Sequence, residues 1–188
     1  MRNIIGLLIV AALPLLHGCA AVAVGGVAAT GAVMADDRRT VGTITEDQGI
    51  QLKAASRIGE KAGNAHINVT SYNRMLLLTG EAANAAAKSE FEKIARAVEN
   101  VRGVYNEIQI AGNSALSARA NDAYLTSKVK ARFLDAQKFD VVHVKVVTEA
   151  NTVYLLGLVA HQEANDATEI ARTTGGVQRV VRVFEYLD

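Results

Sequence analysis

A single cysteine, Cys19, ends the run Leu16-His17-Gly18-Cys19, and its position is the one in the chain that points to covalent chemistry. With no second cysteine, an internal disulfide is impossible. One arginine, Arg2, and the apolar stretch Ile4 to Leu15 stand before it, closed by the small residue Gly18. A positive start, a short apolar centre and a small residue at the cut describe a secretory signal, and the stretch is too short to cross a bilayer. Removal of residues 1–18 is therefore expected to leave Cys19 at the new N-terminus. Nothing in Ala20 to Met34 provides a core that would bury the thiol instead.

Other reactive constellations are thin. His66 and His143 precede matching strands of a repeat described below, and His161 has no partner at metal-ligand spacing. Glu163 and Asp166, like Glu90 and Glu92, read as solvated helix charges. Gly26 and Gly31 have the spacing of a phosphate loop, but Ala32 stands where lysine is needed and no strand precedes it. No nucleophile elbow or Ser-His-Asp pattern occurs. The chain reads as a non-enzyme without cofactor or metal. Its 20 Lys and Arg balance 19 Asp and Glu, which gives no support to a nucleic-acid partner.

The Leu-x-Gly-Cys arrangement resembles the bacterial lipobox. That resemblance implies that the signal is cut off and Cys19 carries acyl chains, and Ala20 in place of aspartate implies the outer rather than the inner membrane.

Two repeated units follow. Asp47-x-x-Ile50-x-x-Lys53-Ala54-x-x-Arg57-Ile58 aligns with Asp122-x-x-Leu125-x-x-Lys128-Val129-x-x-Arg132-Phe133, and apolar positions four apart predict an amphipathic helix in both. Ile67 to Thr70 and Leu76 to Gly80 align with Val144 to Val147 and Val153 to Gly157. They predict hairpins turning at Tyr72-Asn73-Arg74 and Glu149-Ala150-Asn151. A second helix buries Phe91, Ile94, Ala95 and Val98 in one copy and Ala164, Ala167, Ile170 and Ala171 in the other. Strands Val104 to Ile110 and Arg179 to Leu187 close the units after a crossover, so the sheets should mix parallel and antiparallel pairing.

The expected fold class is α+β, two tandem αββαβ units, each a three-stranded mixed sheet on two helices. The expected organisation is a signal over 1–18, an acylated flexible tether over 19–46, units over 47–112 and 121–188, and a linker over 113–120. A flexible tether from Ala20 to Asp47 reaches roughly 30 Å on average. Units of roughly 65 residues are marginal alone, which favours packing of one against the other.

The tandem unit resembles the BON domain, and the chain resembles the dual-BON outer-membrane lipoproteins of Gram-negative bacteria, the DolP family. The resemblance is carried by Asp37-Arg38-Arg39-Thr40-Val41-Gly42-Thr43, Ile67-Asn68-Val69-Thr70, Val104-Tyr105-Asn106-Glu107-Ile108 and Asn121-Asp122. It implies domains facing the periplasm, binding of anionic phospholipid of the phosphatidylglycerol or cardiolipin type through the first helix of the second unit, and support of outer-membrane integrity near the division site. Tyr124 stands where the family carries a large aromatic, and Gly49 takes its place in the first unit. Beside it, Lys128 and Arg132 form a basic stripe, with Leu134 and Phe139 as apolar candidates for the same surface. The residues alone leave open a solvated charged face, or an adaptor that docks an envelope protein through a sheet edge such as Val104 to Ile110.

Overall fold

The computed structural model describes residues 37–188; the expected signal, Cys19 and most of the expected tether lie outside the described residues. In the first unit α1 (Val41–Ala62) is followed by β1 (Ile67–Tyr72), β2 (Met75–Ala82), α2 (Ala85–Arg96), β3 (Gly103–Asn106) and β4 (Gln109–Ile110). The second contains α3 (Leu116–Ala136), a short 3-10 turn, β5 (Val144–Glu149), β6 (Thr152–Val159), α4 (His161–Arg172) and β7 (Arg179–Tyr186). In each, the central strand pairs antiparallel with the strand before it and parallel with the strand after the crossover. The α+β mixed-sheet expectation holds.

Three boundaries differ from the sequence reading. Helix α1 starts well ahead of Asp47, because the Thr40 hydroxyl accepts the Thr43 amide at 3.1 Å and caps it. Helix α3 starts at Leu116, inside the stretch read as linker, since Leu, Ala and Arg there are good helix formers and the break falls at Gly112-Asn113. The strand expected from Val104 to Ile110 is split. Ile108 turns into the core at 1% exposure, and the Asn106 side chain accepts its amide.

Both hairpins turn through two residues of positive φ, Asn73 and Arg74 in one and Ala150 and Asn151 in the other. This is the geometry that suits the right-handed twist of paired strands. A carboxylate from the preceding helix holds each turn. Asp47 accepts the Asn73 and Arg74 amides at 2.7 Å each, and Asp122 accepts those of Ala150 and Asn151 at 2.9 Å each. The repeat therefore opens on aspartate because its hairpin needs one.

Gly80 and Gly157 occupy equivalent places where β2 and β6 pass the carbonyls of His66 and His143. A Cβ on Gly80 would overlap the His66 oxygen, and its φ of +107° adds strain. Gly80→Ala is expected to cost about 3 kcal/mol, read as a lower urea midpoint.

The two sheets pack against each other through the faces that carry no helix. On β2, Leu76 and Leu78 face the core formed with Ile50, Ala54, Ile58 and Phe91. Leu77 points the other way, into a cluster with Tyr72, Tyr154, Leu156 and Val183. On β6, Val153 and Leu155 face Val129, Phe133 and Ile170. The result is four layers, helices outside and two sheets inside, with β2 and β6 buried on both faces. Burial there pushes the Tyr154 phenol up to about 12. Polar contacts ring this apolar centre. Buried Glu149 accepts the Asn68 amide at 2.7 Å and the Thr79 hydroxyl at 3.1 Å, and Glu185 accepts Asn73 at 2.9 Å and pairs with Arg102.

The last residues before α1, expected to belong to a flexible tether, are held. Arg38 grips Glu163 with two nitrogens at 2.6 and 2.9 Å and donates to the Leu158 carbonyl at 2.9 Å. Arg39 pairs with Asp47 at 2.9 Å and lies over the Tyr72 ring at 3.9 Å. Adjacent arginines thus fasten one to each unit. The hydrogen bond from Arg38 holds the Glu163 carboxyl below its ordinary value of 4.5. A lowered carboxylate contributes stability above its unfolded value and loses it as pH falls through the folded one. Acidification past the ordinary glutamate range is therefore expected to release Arg38 from the second unit while Arg39 stays on Asp47, seen as a shift of the Arg38 guanidinium resonance, and Glu163→Gln should release it at neutral pH.

Candidate functional site

Helix α3 is fixed along its inner side. Leu125, Val129 and Phe133 enter the second core, while Asp122 ties the helix start to the β5–β6 turn. Lys128 donates to the Gly175 carbonyl at 2.9 Å. Arg132 donates to the Ile170 carbonyl and the Thr174 hydroxyl at 2.8 Å each. Arg132 reaches the C-terminal end of α4, where positive charge is favoured, and Lys128 the turn that follows it. They fasten α3 to α4.

The outer side of α3 is unusual. Tyr124 is 63% exposed, Leu134 59% and Leu116 80%. Between them Ala120, Ala123, Ser127 and Ala131 are exposed at helical spacing, so a second, nearly uncharged stripe runs along the solvent side. Lys130 flanks it, exposed and without a hydrogen bond or ion pair among the described residues. The aligned stretch of α1 offers Gln48, Gly49, Leu52 and Ser56, with Leu52 72% exposed but no ring.

Of the residues singled out from sequence, Tyr124 and Leu134 lie on this stripe. Lys128 and Arg132 border the α4 side with their charges engaged. Phe139 is half-buried, edge-on to Phe133 with centroids 5.0 Å apart, and packs on the core away from the stripe. Cys19 lies outside the described residues. Leu116 and Ala120 fall in the stretch read as linker, while Ala123, Ser127 and Ala131 are too small to mark a face by themselves; the spacing 116, 120, 123, 127, 131, 134 is the signal for it. Among the described residues no group of His, Cys, Asp and Glu is arranged to hold a metal, and no helix is long and apolar enough to cross a membrane.

The BON domain family matches residues 46–112 and 121–188. The outer membrane lipoprotein DolP of Haemophilus influenzae is 35% identical over 176 residues, covering 92% of this chain and 91% of that protein. The 21 kDa hemolysin of Actinobacillus pleuropneumoniae is 30% identical over 154 residues, 80% of this chain and 79% of the other. Osmotically-inducible protein Y of Escherichia coli is 30% identical over 145 residues, 74% of this chain and 72% of its own length. With both repeats matched and the alignment to the lipoprotein running through nearly the whole chain, this protein belongs to the BON-domain family, as a two-domain member of the DolP group of outer membrane lipoproteins.

Proposed function

We propose that the protein is held in the outer membrane by acyl chains on Cys19, faces the periplasm, and uses the outer side of α3 to bind anionic phospholipid of the phosphatidylglycerol or cardiolipin type, supporting envelope integrity at division sites. The observation that carries the reading is the Leu116-Tyr124-Leu134 stripe, exposed on a helix whose opposite side is fixed in the second core. A tyrosine suits such an interface, with an apolar ring and a polar tip. Lys130 adds about 1 kcal/mol toward an anionic surface. Acyl chains at about 0.8 kcal/mol per buried methylene already make attachment lasting, so the contact made by α3 sets orientation and lipid preference rather than residence. The activity is binding, not catalysis.

The test uses a Cys19→Ala chain, which cannot be acylated, and vesicles of phosphatidylglycerol or phosphatidylcholine. Selective binding to the first is expected. Tyr124→Ala should weaken it by about 1.5 kcal/mol, roughly tenfold. Equal binding to both vesicles, or an undiminished Tyr124→Ala variant, refutes the reading. The adaptor alternative draws less support, because the edge it would use is split into β3 and a two-residue β4, a short template for an added strand.

A further inference from the structure

A cleft of about 320 Å³ opens where α1, the end of β1 and β5 meet, with walls from both domains. That volume falls within the roughly 300–1,000 Å³ of small-molecule sites. Arg39, Gln48, Gln51, Ser71 and Lys145 line one side, and Ile44, Leu52 and Ala55 the other. Asp47 also borders it, but its carboxylate is saturated by the Ser71 hydroxyl at 2.6 Å, the Asn73 and Arg74 amides and Arg39. The Arg39 charge cancels that of Asp47. The charge that remains belongs to Lys145.

Lys145 has no counter-ion. It is half-buried, and its hydrogen bond goes to the Ser71 carbonyl at 3.3 Å. Burial, with Arg39 and Lys130 nearby, pushes its ammonium below the ordinary lysine range, with Asp47 opposing. Gln51 turns its carbonyl oxygen to the Ser71 amide at 3.2 Å, which leaves its NH2 group to donate elsewhere.

Repeat symmetry does not require this opening. At the mirrored place Asn68 meets Glu149 at 2.7 Å, and Thr126 and Thr148, which align with Gln51 and Ser71, bond to each other at 2.7 Å. The mirrored contacts are closed and carry no unpaired cation.

We propose that this cleft is a binding site for a phosphate group, free or at the head of a small amphiphile, with Lys145 and the Gln51 amide holding the oxygens and Leu52 and Ala55 lying against any apolar body. A phosphate there supplies the counter-ion that Lys145 lacks and accepts the idle amide donor. The site is separate from α3 and does not depend on the lipid contact proposed for that helix.

The test follows backbone amide resonances of the mature chain in neutral detergent micelles, titrated with inorganic phosphate and, separately, with dodecyl phosphate. Saturable shifts at residues 44–55, Ser71 and Lys145 are expected. Lys145→Met and Gln51→Leu should each weaken them at least roughly tenfold, and Tyr124→Ala should leave them unchanged. Saturation by inorganic phosphate identifies a soluble ligand as sufficient, and saturation by dodecyl phosphate alone identifies a lipid head. No saturable shift with either into the millimolar range, or the same affinity in Lys145→Met, overturns the proposal.

Discussion

An Asp47→Ala variant is expected to lose about 4 kcal/mol of stability, because three neutral donors and one buried cation converge on this carboxylate. The Ser71 hydroxyl and the two turn amides sit at 2.6–2.7 Å from it, and all lose the acceptor they share at a buried position. Each unsatisfied buried donor costs about 1–3 kcal/mol. Arg39, with a side chain 12% exposed, keeps the Tyr72 ring but loses its pairing with Asp47. The damage extends to the partner domain, since the Asn73 side chain on that turn holds Glu185. Asp122→Ala removes two turn contacts and no ion pair, so it should cost less, about 2 kcal/mol. Urea unfolding of both variants provides the comparison. Equal midpoint shifts would mean that the turns alone set the cost and that the Arg39 pairing contributes nothing.

The repeat was readable because periods of 3.6 and 2 survive in both copies, so helices, hairpins and inward residues such as Phe91 and Ala167 follow from spacing. The sheet-on-sheet packing was only half readable. Uninterrupted apolar runs at Leu76–Leu78 and Val153–Leu156 signal strands buried on both faces, but not what covers the second face. Charge was the least legible. Lys128 and Arg132 carry the same sign in sequence whether they face solvent or grip carbonyls of α4, and only the fold brings Ile170, Thr174 and Gly175 beneath them. Arg38 meets Glu163 across more than half the chain, a separation at which spacing carries no information. The exposed apolar stripe was legible at its ring, Tyr124, and hidden at Leu116, whose helix continues past the expected linker boundary.

A Leu77→Asp variant is expected to lose at least about 4 kcal/mol, the cost of an uncompensated charge in the apolar layer between the sheets. Leu77 is 1% exposed and packed with Tyr154, Leu156 and Val183. The fringe around that layer carries the carboxylates Glu149 and Glu185, already supplied with donors, so a new aspartate adds to the negative charge there. Leu77→Met keeps volume and apolarity and should cost less than about 1.5 kcal/mol. Each domain of roughly 65 residues buries too little surface to stand comfortably alone, so parting the sheets should weaken both. In hydrogen exchange, amides of β2 and β6 should therefore lose protection together in Leu77→Asp. Retained protection in β6 would show that the second domain holds itself. The coupling matters beyond stability. Arg38 fastens to the second domain and Arg39 to the first, so residues 38 and 39 are fixed relative to α3 only while the sheets stay joined.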